Sequence, residues 1–224
     1  MKNNIFEIFK SLDKWVEFNG NGKYMPKFFR DSSEDKYILH DNYGIQQNRE
    51  EILEFTKKIL GIKEKDRCLE IGLGRYGSTH FLFRQIFKKT ITVEIDKDRV
   101  NAFGITTKNF FGKHVLDDGK SSFIYGRSND PKTLEKIVNF LNKKKFDLIF
   151  IDGSHFFSDV LADWLFYKEL LQKKGIIAFH DCVNINNQSG VKKFLDFLKV
   201  YFPQIKIKKI IKSSNLGIAY YYNQ

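Results

Sequence analysis

Short apolar runs alternate with longer segments of helical periodicity between Arg67 and Phe179, and this alternation constrains the fold more than any other feature of the sequence. Strands that are apolar throughout are buried on both faces, and strands joined through helices run parallel with right-handed crossovers. We therefore expect an α/β fold with a doubly wound, mainly parallel sheet. The predicted strands are Arg67–Ile71, Ile91–Ile95, Ser122–Tyr125, Phe146–Ile151 and Ile176–Phe179, and the predicted helices are Ser78–Lys88, Lys97–Asn109, Pro131–Lys143 and Phe157–Lys173.

The C-terminal part of the chain departs from this alternation. A helix is predicted over Val191–Tyr201, and strands are predicted at Ile205–Ile211 and Gly217–Tyr222. The turn between these two strands is too short for a crossover helix, so the strands form a hairpin. The last strand is therefore expected to run antiparallel to the others, in a sheet of seven strands.

The first 47 residues lack a sustained period, because Gly20 and Gly22 interrupt the pattern. A segment of this length is too short to build a core of its own. We expect residues 1–47 to form a lid or an oligomer-contact segment, which makes a homo-oligomer one expectation. Residues 48–224 are expected to form a single domain that opens with a helix capped by Asn48.

The composition excludes several classes of protein. No apolar stretch approaches the roughly 18 residues of a membrane-spanning helix, and the N-terminus lacks the continuous apolar segment of a secretory signal. Cys68 and Cys182 are too few for a disulfide framework or a four-thiolate zinc site. We therefore expect a cytoplasmic globular protein.

The chain is basic, with 38 Lys and Arg against 27 Asp and Glu. Lysines are densest in residues 191–212, and such a run attracts nucleic acid, anionic lipid or an acidic substrate. Their spacing is more typical of the solvated faces of a helix and a strand. Nucleic acid is therefore not the expected partner.

Polar residues follow the predicted strands at the points where these strands end. In an open parallel sheet, ligands bind at the carboxyl ends of the strands, beside the point where the strand order reverses. Acidic or imidazole groups end four of the five strands, which predicts a functional site at this edge. The groups are Glu70, Glu94, Asp96, Asp152, His155, His180 and Asp181.

The loop after the first strand carries the glycine pattern G-x-G-x-x-G at Gly72, Gly74 and Gly77. The pattern fits a dinucleotide site in which Glu94 binds ribose hydroxyls. Glu70 changes this interpretation, because an anion beside the loop repels pyrophosphate and attracts a cation. A cationic ligand such as S-adenosylmethionine is therefore favoured over a nicotinamide cofactor.

Longer stretches of the sequence resemble a known family. The run CLEIGLGRYGSTHFLF with the following TVEID resembles the first two motifs of class I S-adenosylmethionine-dependent methyltransferases. FDLIFIDGSHFFSDVLADWLFYKELLQKKGIIAFHDC resembles the fourth and fifth motifs of one branch, the small-molecule and sugar O-methyltransferases, which include catechol-type, macrolide-sugar and cephalosporin-hydroxylase-like proteins. The resemblance implies a Rossmann-like domain and a soluble enzyme whose partner is a small-molecule or sugar acceptor.

The resemblance also assigns cofactor-binding residues. Glu94, or Asp96, would bind the ribose hydroxyls, and Ser128 would lie near the adenine. Arg127 stands where the family usually has an acidic residue, which puts the adenine contacts in doubt. The full set implied for S-adenosylmethionine is Glu70, Gly72, Gly74, Ser78, Glu94, Ser128 and Asp152.

The fourth and fifth motifs imply the catalytic residues His155, Asp152 and Asp181. Methyl transfer to a hydroxyl needs a general base or a metal that lowers the hydroxyl pKa, and His155 is the expected base. Asp152, His180 and Asp181 are the expected ligands of a divalent metal, Mg²⁺ or Mn²⁺. His180 replaces an oxygen ligand of better-known relatives, so His180 could instead be a base or a substrate contact in a site that needs no metal.

The sequence thus predicts an S-adenosylmethionine-dependent O-methyltransferase of a small molecule or sugar. An RNA methyltransferase and a non-catalytic S-adenosylmethionine-binding protein remain alternatives. The residues do not identify the acceptor.

Overall fold

The computed structural model describes residues 4–20, 47–74, 77–112, 118–183, 190–212 and 216–223. Among these residues, no helix has the length and apolar character that a membrane span requires. The helices are α1 (Ile5–Gly20), α2 (Arg49–Leu60), α3 (Ser78–Ile86), α4 (Lys97–Phe111), α5 (Pro131–Leu141), α6 (Phe157–Tyr167) and α7 (Gly190–Tyr201). The strands are β1 (Arg67–Ile71), β2 (Lys89–Glu94), β3 (Ser121–Tyr125), β4 (Phe146–Ile151), β5 (Leu171–Phe179), β6 (Lys208–Ile210) and β7 (Ile218–Tyr222).

The strands form one seven-stranded sheet in the order β3-β2-β1-β4-β5-β7-β6. The first five strands pair in parallel, and β7 runs antiparallel to both β5 and β6. The predicted Rossmann-like fold with an antiparallel C-terminal hairpin is therefore confirmed. The turn predicted between the last two strands lies outside the described residues.

Hydrophobic side chains fill both faces of the sheet, as the apolar strands predict. On one face, Trp15 of α1, Phe55 of α2 and Phe81 of α3 pack in one cluster with alternate residues of the central strands. On the other face, Ile137 of α5 and Trp164 of α6 pack against the remaining strand residues. All six residues of β4 are buried, because this central strand is covered on both sides.

The helix predicted over Phe157–Lys173 is wrong in its last third. Helix α6 ends at Tyr167, a 3₁₀ turn follows, and β5 already begins at Leu171. Leu171 is buried and pairs with Phe146, which extends β5 beyond the predicted range. The polar residues directly after Leu171 form an exposed part of β5. Their composition alone does not distinguish a strand from the end of a helix.

The N-terminal segment is more regular than the sequence indicated, because residues 5–20 form helix α1. Trp15 is fully buried and stacks on Phe81 with the ring centroids 4.6 Å apart. Two further rings, Phe103 and Phe110, contact Trp15 edge-on. Helix α1 thus completes the hydrophobic core. The role of residues 1–47 as a lid or an oligomer contact stays a prediction.

Trp15→Ala is expected to lower the free energy of unfolding by about 3–5 kcal/mol, because it removes a fully buried ring from a packed aromatic cluster. Phe6→Ala on the same helix is the control, since the Phe6 side chain is 67% exposed. Urea unfolding followed by circular dichroism measures both changes. A Trp15→Ala protein as stable as Phe6→Ala would contradict the packing of α1 described above.

Candidate active site

The strand order reverses between β1 and β4, and the chain is tightly packed at this point. Asp152 N–H donates a hydrogen bond of 2.9 Å to the Ile71 carbonyl. Gly72 has a φ of +89°, and a Cβ at this position would lie 2.3 Å from the Asp152 carbonyl oxygen. Only glycine fits here, so Gly72 brings the glycine loop and Asp152 side by side.

A cavity of about 530 Å³ opens at this edge of the sheet. It lies where the sequence predicted a site, at the carboxyl ends of the parallel strands. The residues that line it include Gly72, Gly74, Glu94, Arg99, Arg127, Ser128, Asn129, Asp152, His155, Phe156, Asp159, His180 and Asp181.

The cavity contains most of the residues predicted to bind S-adenosylmethionine but not all of them. Gly72, Gly74, Glu94, Ser128 and Asp152 line its wall. Glu70 and Ser78 do not line it, and both side chains are buried. The Glu70 carboxylate accepts a hydrogen bond from Thr92 Oγ1 inside the sheet. Ser78 lies at the start of α3.

Glu94 lies at the end of β2 with its side chain 3% exposed. Its two carboxylate oxygens accept hydrogen bonds from the backbone N–H groups of Leu73 and Asp96, both 2.9 Å long. These bonds fix the carboxylate at the cavity wall and tie the glycine loop to β2. The alternative ribose ligand, Asp96, instead caps α4 by accepting from the Asp98 N–H.

Two carboxylates and two imidazoles form a cluster at the cavity wall. His180 Nδ1 lies 3.0 Å from Asp152 Oδ1 and 3.4 Å from Asp181 Oδ2. His155 Nε2 lies 2.9 Å from the same Asp181 oxygen. The His180 side chain is only 3% exposed, whereas that of His155 is 56% exposed. His155 is therefore the imidazole that a ligand in the cavity can reach.

The charges of the cluster are coupled. The hydrogen bond to Asp181 raises the pKa of His155 above its usual value, although burial opposes this shift. Burial also opposes protonation of His180, but Asp152 and Asp181 outweigh it and hold the His180 pKa well above the usual range. Burial raises the pKa of Asp152 and acts in the same direction on Asp181. At Asp181, hydrogen bonds from both histidines prevail and hold the pKa below its ordinary value.

The possible metal-binding set differs from the predicted one in one residue. Ligand atoms of Asp152, His155 and Asp181 all lie within 4.8 Å of one another. The structure does not add His180 to this set, because His180 Nδ1 faces Asp152 Oδ1 and its Nε2 atom is buried. Sequence spacing could not separate the two histidines, since both follow a strand end.

The sequence did not reveal several residues at the site, and three of them show what was missed. Gln47 is 2% exposed and donates from Nε2 to Asp152 Oδ2 over 3.2 Å. Asp159 accepts hydrogen bonds from Asn129 and Ser154, and so connects the loops after β3 and β4. Phe156 is 74% exposed at the cavity wall. Of these three residues, only Asp159 has a feature that the sequence could have shown, because it is an acidic residue in the first turn of a helix.

The loop that contains Ser128 rests on helix α6. The Tyr167 hydroxyl donates a hydrogen bond of 2.5 Å to the Ser128 carbonyl oxygen. Asp163, one turn earlier, is fully buried. Burial raises the pKa of the Asp163 carboxyl to about 7, Ser128 partly opposes this shift, and Asp159 adds to it. The loop that contains Ser128 is therefore held by Tyr167, one turn along α6 from a buried carboxyl group.

The fold and the site together define a methyltransferase. A family model described as a methyltransferase domain matches residues 69–182. This range is just over half of the chain and contains the glycine loop and the acidic–imidazole cluster. The protein therefore belongs to this methyltransferase family, as the sequence motifs predicted. A search of curated protein sequences finds no match.

Solved structures with the same fold share little sequence with this chain. The O-methyltransferase from Bacillus cereus in complex with SAH has a TM-score of 0.61 at 14% identity, over 94% of this chain and 99% of that one. The O-methyltransferase TomG from Streptomyces achromogenes in complex with SAM has a TM-score of 0.58 at 14% identity, over 95% and 98% of the two chains. The methyltransferase MycE of the mycinamycin pathway, in complex with Mg and SAH, has a TM-score of 0.50 at 17% identity, over 74% and 48%.

Asp163→Asn is expected to change how stability depends on pH. An ordinary aspartate has a pKa near 3.9 in the unfolded chain, whereas the pKa of Asp163 in the folded protein is about 7. Between about pH 4 and 7 only the unfolded state loses this proton, so the carboxyl progressively destabilises the wild type, and the penalty stays constant above pH 7. Asparagine cannot ionise. The variant should therefore gain stability relative to the wild type as the pH rises. The difference between their free energies of unfolding should increase by about 1–4 kcal/mol across this range.

Urea unfolding at pH 4.5 and pH 8 measures this gain. Asp98→Asn is the control, because Asp98 is an exposed carboxylate. Parallel pH curves for wild type and Asp163→Asn would contradict the burial of an ionisable group at this position.

Proposed function

We propose that the protein transfers a methyl group from S-adenosylmethionine to a hydroxyl group of a small molecule or sugar, with His155 as the general base. The observation that carries the proposal is the His155–Asp181 pair, 2.9 Å apart at the wall of the cavity. Two of the structural neighbours are O-methyltransferases with SAH or SAM bound, which supports the same donor here.

The donor end of the cavity fits S-adenosylmethionine. Gly72 and Gly74 line the wall without side chains, and Glu94 and Ser128 line the same cavity. In the proposed complex, Glu94 would bind the ribose hydroxyls and Ser128 would lie near the adenine. Carboxylate–hydroxyl bonds are charge-assisted and therefore strong. When bound, the donor supplies an electrophilic methyl group on a cationic sulfur.

The acceptor end supplies the base. The acceptor hydroxyl gives its proton to the neutral His155 imidazole, and its oxygen forms the new bond to the methyl carbon. The bound donor would supply this methyl group, and the electron pair of its carbon–sulfur bond would return to sulfur. Asp181 stabilises the resulting imidazolium, consistent with the raised pKa of His155. Asp152 and Asp181 anchor the acceptor.

A divalent metal ion fits the same cluster. Asp152, His155 and Asp181 would hold it, and two carboxylates with one imidazole suit Mn²⁺, Fe²⁺ or Zn²⁺ better than Mg²⁺. The ion would lower the pKa of a bound hydroxyl. The Mg²⁺ in the MycE complex is a precedent for this second version, in which Asp152 and Asp181 would act through the ion.

The exposed Phe156 ring indicates which kind of acceptor the cavity would bind. The exposed Phe156 ring lies at the cavity wall directly after the proposed base. An aromatic ring in this position packs against the face of a planar or sugar ring. Together with the acidic cluster, it favours an acceptor that presents both a ring and a hydroxyl group.

His155→Ala is expected to lower kcat by about 10²–10⁴-fold, the usual contribution of a general base, and to leave donor affinity nearly unchanged. Activity is measured with methyl-labelled S-adenosylmethionine and a panel of catechol, phenol and sugar acceptors. Calorimetry with S-adenosylhomocysteine reports donor-site integrity. A His155→Ala protein with full turnover on an acceptor would exclude His155 as the base.

A chelator distinguishes the metal-free version of the reaction from the metal-dependent version. Activity is expected to persist in EDTA, because the His155–Asp181 pair provides a base without an ion. If EDTA abolishes turnover and Mn²⁺ or Mg²⁺ restores it, the deprotonation belongs to the metal held by Asp152 and Asp181. Asp152→Asn should then remove Mn²⁺ binding as measured by electron paramagnetic resonance.

A further inference from the structure

A chain of buried polar side chains crosses the sheet beneath the glycine loop, and the proposed chemistry does not use it. Arg84 Nε lies 3.1 Å from Ser121 Oγ, and Ser121 Oγ lies 2.8 Å from His80 Nε2. His80 Nδ1 lies 2.7 Å from Thr92 Oγ1, which is 2.5 Å from Glu70 Oε2. All five side chains are at most 8% exposed.

The chemistry of the end groups fixes the direction of the hydrogen bonds at both ends of this chain. A guanidinium group only donates, so Ser121 accepts from Arg84, and the Ser121 hydroxyl is still able to donate to His80 Nε2. At the other end, Thr92 donates its only hydrogen to the Glu70 carboxylate. The Thr92 oxygen must then accept from His80 Nδ1.

His80 therefore carries a proton on Nδ1. Burial favours the neutral ring, because it lowers the pKa of His80 below the usual value despite the nearby Glu70, and in the neutral ring Nε2 accepts from Ser121. The ring is also held sterically. It stacks on Phe123 with the centroids 4.9 Å apart, and Phe103 contacts its edge at 5.3 Å.

The chain runs from the carboxyl end of β1, just before the glycine loop, to the amino end of β3. Glu70 stands two residues before Gly72, and its Oε1 atom is buried with no hydrogen-bond partner among the described residues. At the far end, Arg84 forms an ion pair with Asp118. Helix α3, which carries His80 and Arg84, starts directly after the loop at Gly77, where a Cβ would overlap Phe103.

We infer that His80 is a positioning residue for the methyl donor: through Thr92 it holds Glu70 in one orientation beneath the glycine loop, and so places a negative charge near the cationic end of the donor. This inference rests on the proposed function, since it concerns affinity for S-adenosylmethionine. A carboxylate at a fixed place in a low-dielectric interior attracts a cation more strongly than a mobile one in water. Binding of the donor, rather than the methyl-transfer step, should depend on this chain of hydrogen-bonded side chains.

The protonation of His80 is tested first, without any ligand. Long-range ¹H–¹⁵N correlation spectra of the histidine side chains in the wild-type protein are expected to show one neutral imidazole protonated on Nδ1, and its signals should be absent in His80→Gln. A signal for His80 that reports the Nε2-protonated tautomer or an imidazolium would overturn the assigned direction of the chain.

The effect on the donor is tested with a matched pair on β2. Thr92→Val breaks the chain, whereas Thr90→Val makes the same change two residues away, at a buried hydroxyl without a partner among the described residues. Calorimetry with S-adenosylmethionine is expected to show a Kd about tenfold higher for Thr92→Val than for wild type, the effect of losing a hydrogen bond to a charged group. Thr90→Val should bind like wild type, and Thr92→Ser should recover the affinity.

The outcomes separate the inference from the proposed function. Equal affinity of Thr92→Val and Thr90→Val for S-adenosylmethionine, with both proteins folded by circular dichroism, would overturn the positioning role. A wild-type protein that binds no S-adenosylmethionine would instead contradict the proposed function and with it the donor part of the inference. The histidine spectra would still determine the direction of the hydrogen bonds at His80.

Discussion

The close contact between Gly72 and the Asp152 backbone is the constraint on which the site depends. A side chain at residue 72 would occupy the position of the Asp152 carbonyl oxygen, and the Asp152 N–H is bonded to the end of β1. The loops after β1 and β4 therefore leave the sheet side by side, on either side of the point where the strand order reverses. One contact places the glycine loop against the acidic–imidazole cluster, and the cavity spans both.

The two histidines of the cluster look alike in the sequence but have different environments in the structure. His180 ends β5 inside the protein, where Asp152 and Asp181 stabilise its protonated form. His155 lies one loop away, reaches the same Asp181 oxygen and remains exposed to the cavity. The same Asp181 oxygen faces both rings, and the Asp181 backbone adopts a φ of +54°, which is uncommon for a residue with a side chain. Its carboxylate thus fixes the buried imidazole and leaves the exposed one to exchange a proton with a ligand.

The sequence predicted what depends on local pattern. Apolar runs marked the buried parts of the parallel strands, and strand ends marked the carboxylates and imidazoles of the cavity. It did not predict contacts between distant residues. The burial of Trp15 depends on α3 and α4, and the contact of Gln47 with Asp152 joins residues 105 positions apart. The chain through His80 combines side chains of one helix and three strands. Each of these side chains alone is an ordinary buried polar residue, so no single position in the sequence reveals the chain.

Under the proposed function, the two ends of the cavity do different work. Methyl transfer removes the positive charge from the donor sulfur, so a carboxylate near the donor stabilises the bound substrate at least as well as the transition state. Only interactions that strengthen in the transition state accelerate a reaction, and Glu70 with its supporting chain therefore contributes to donor affinity. His155 gains positive charge during the same step, and Asp181, already bonded to it at 2.9 Å, stabilises that gain. In the proposed mechanism, Glu70 and Glu94 on the β1 side of the Gly72–Asp152 contact would govern binding of the donor, and His155 with Asp181 on the other side would govern the rate.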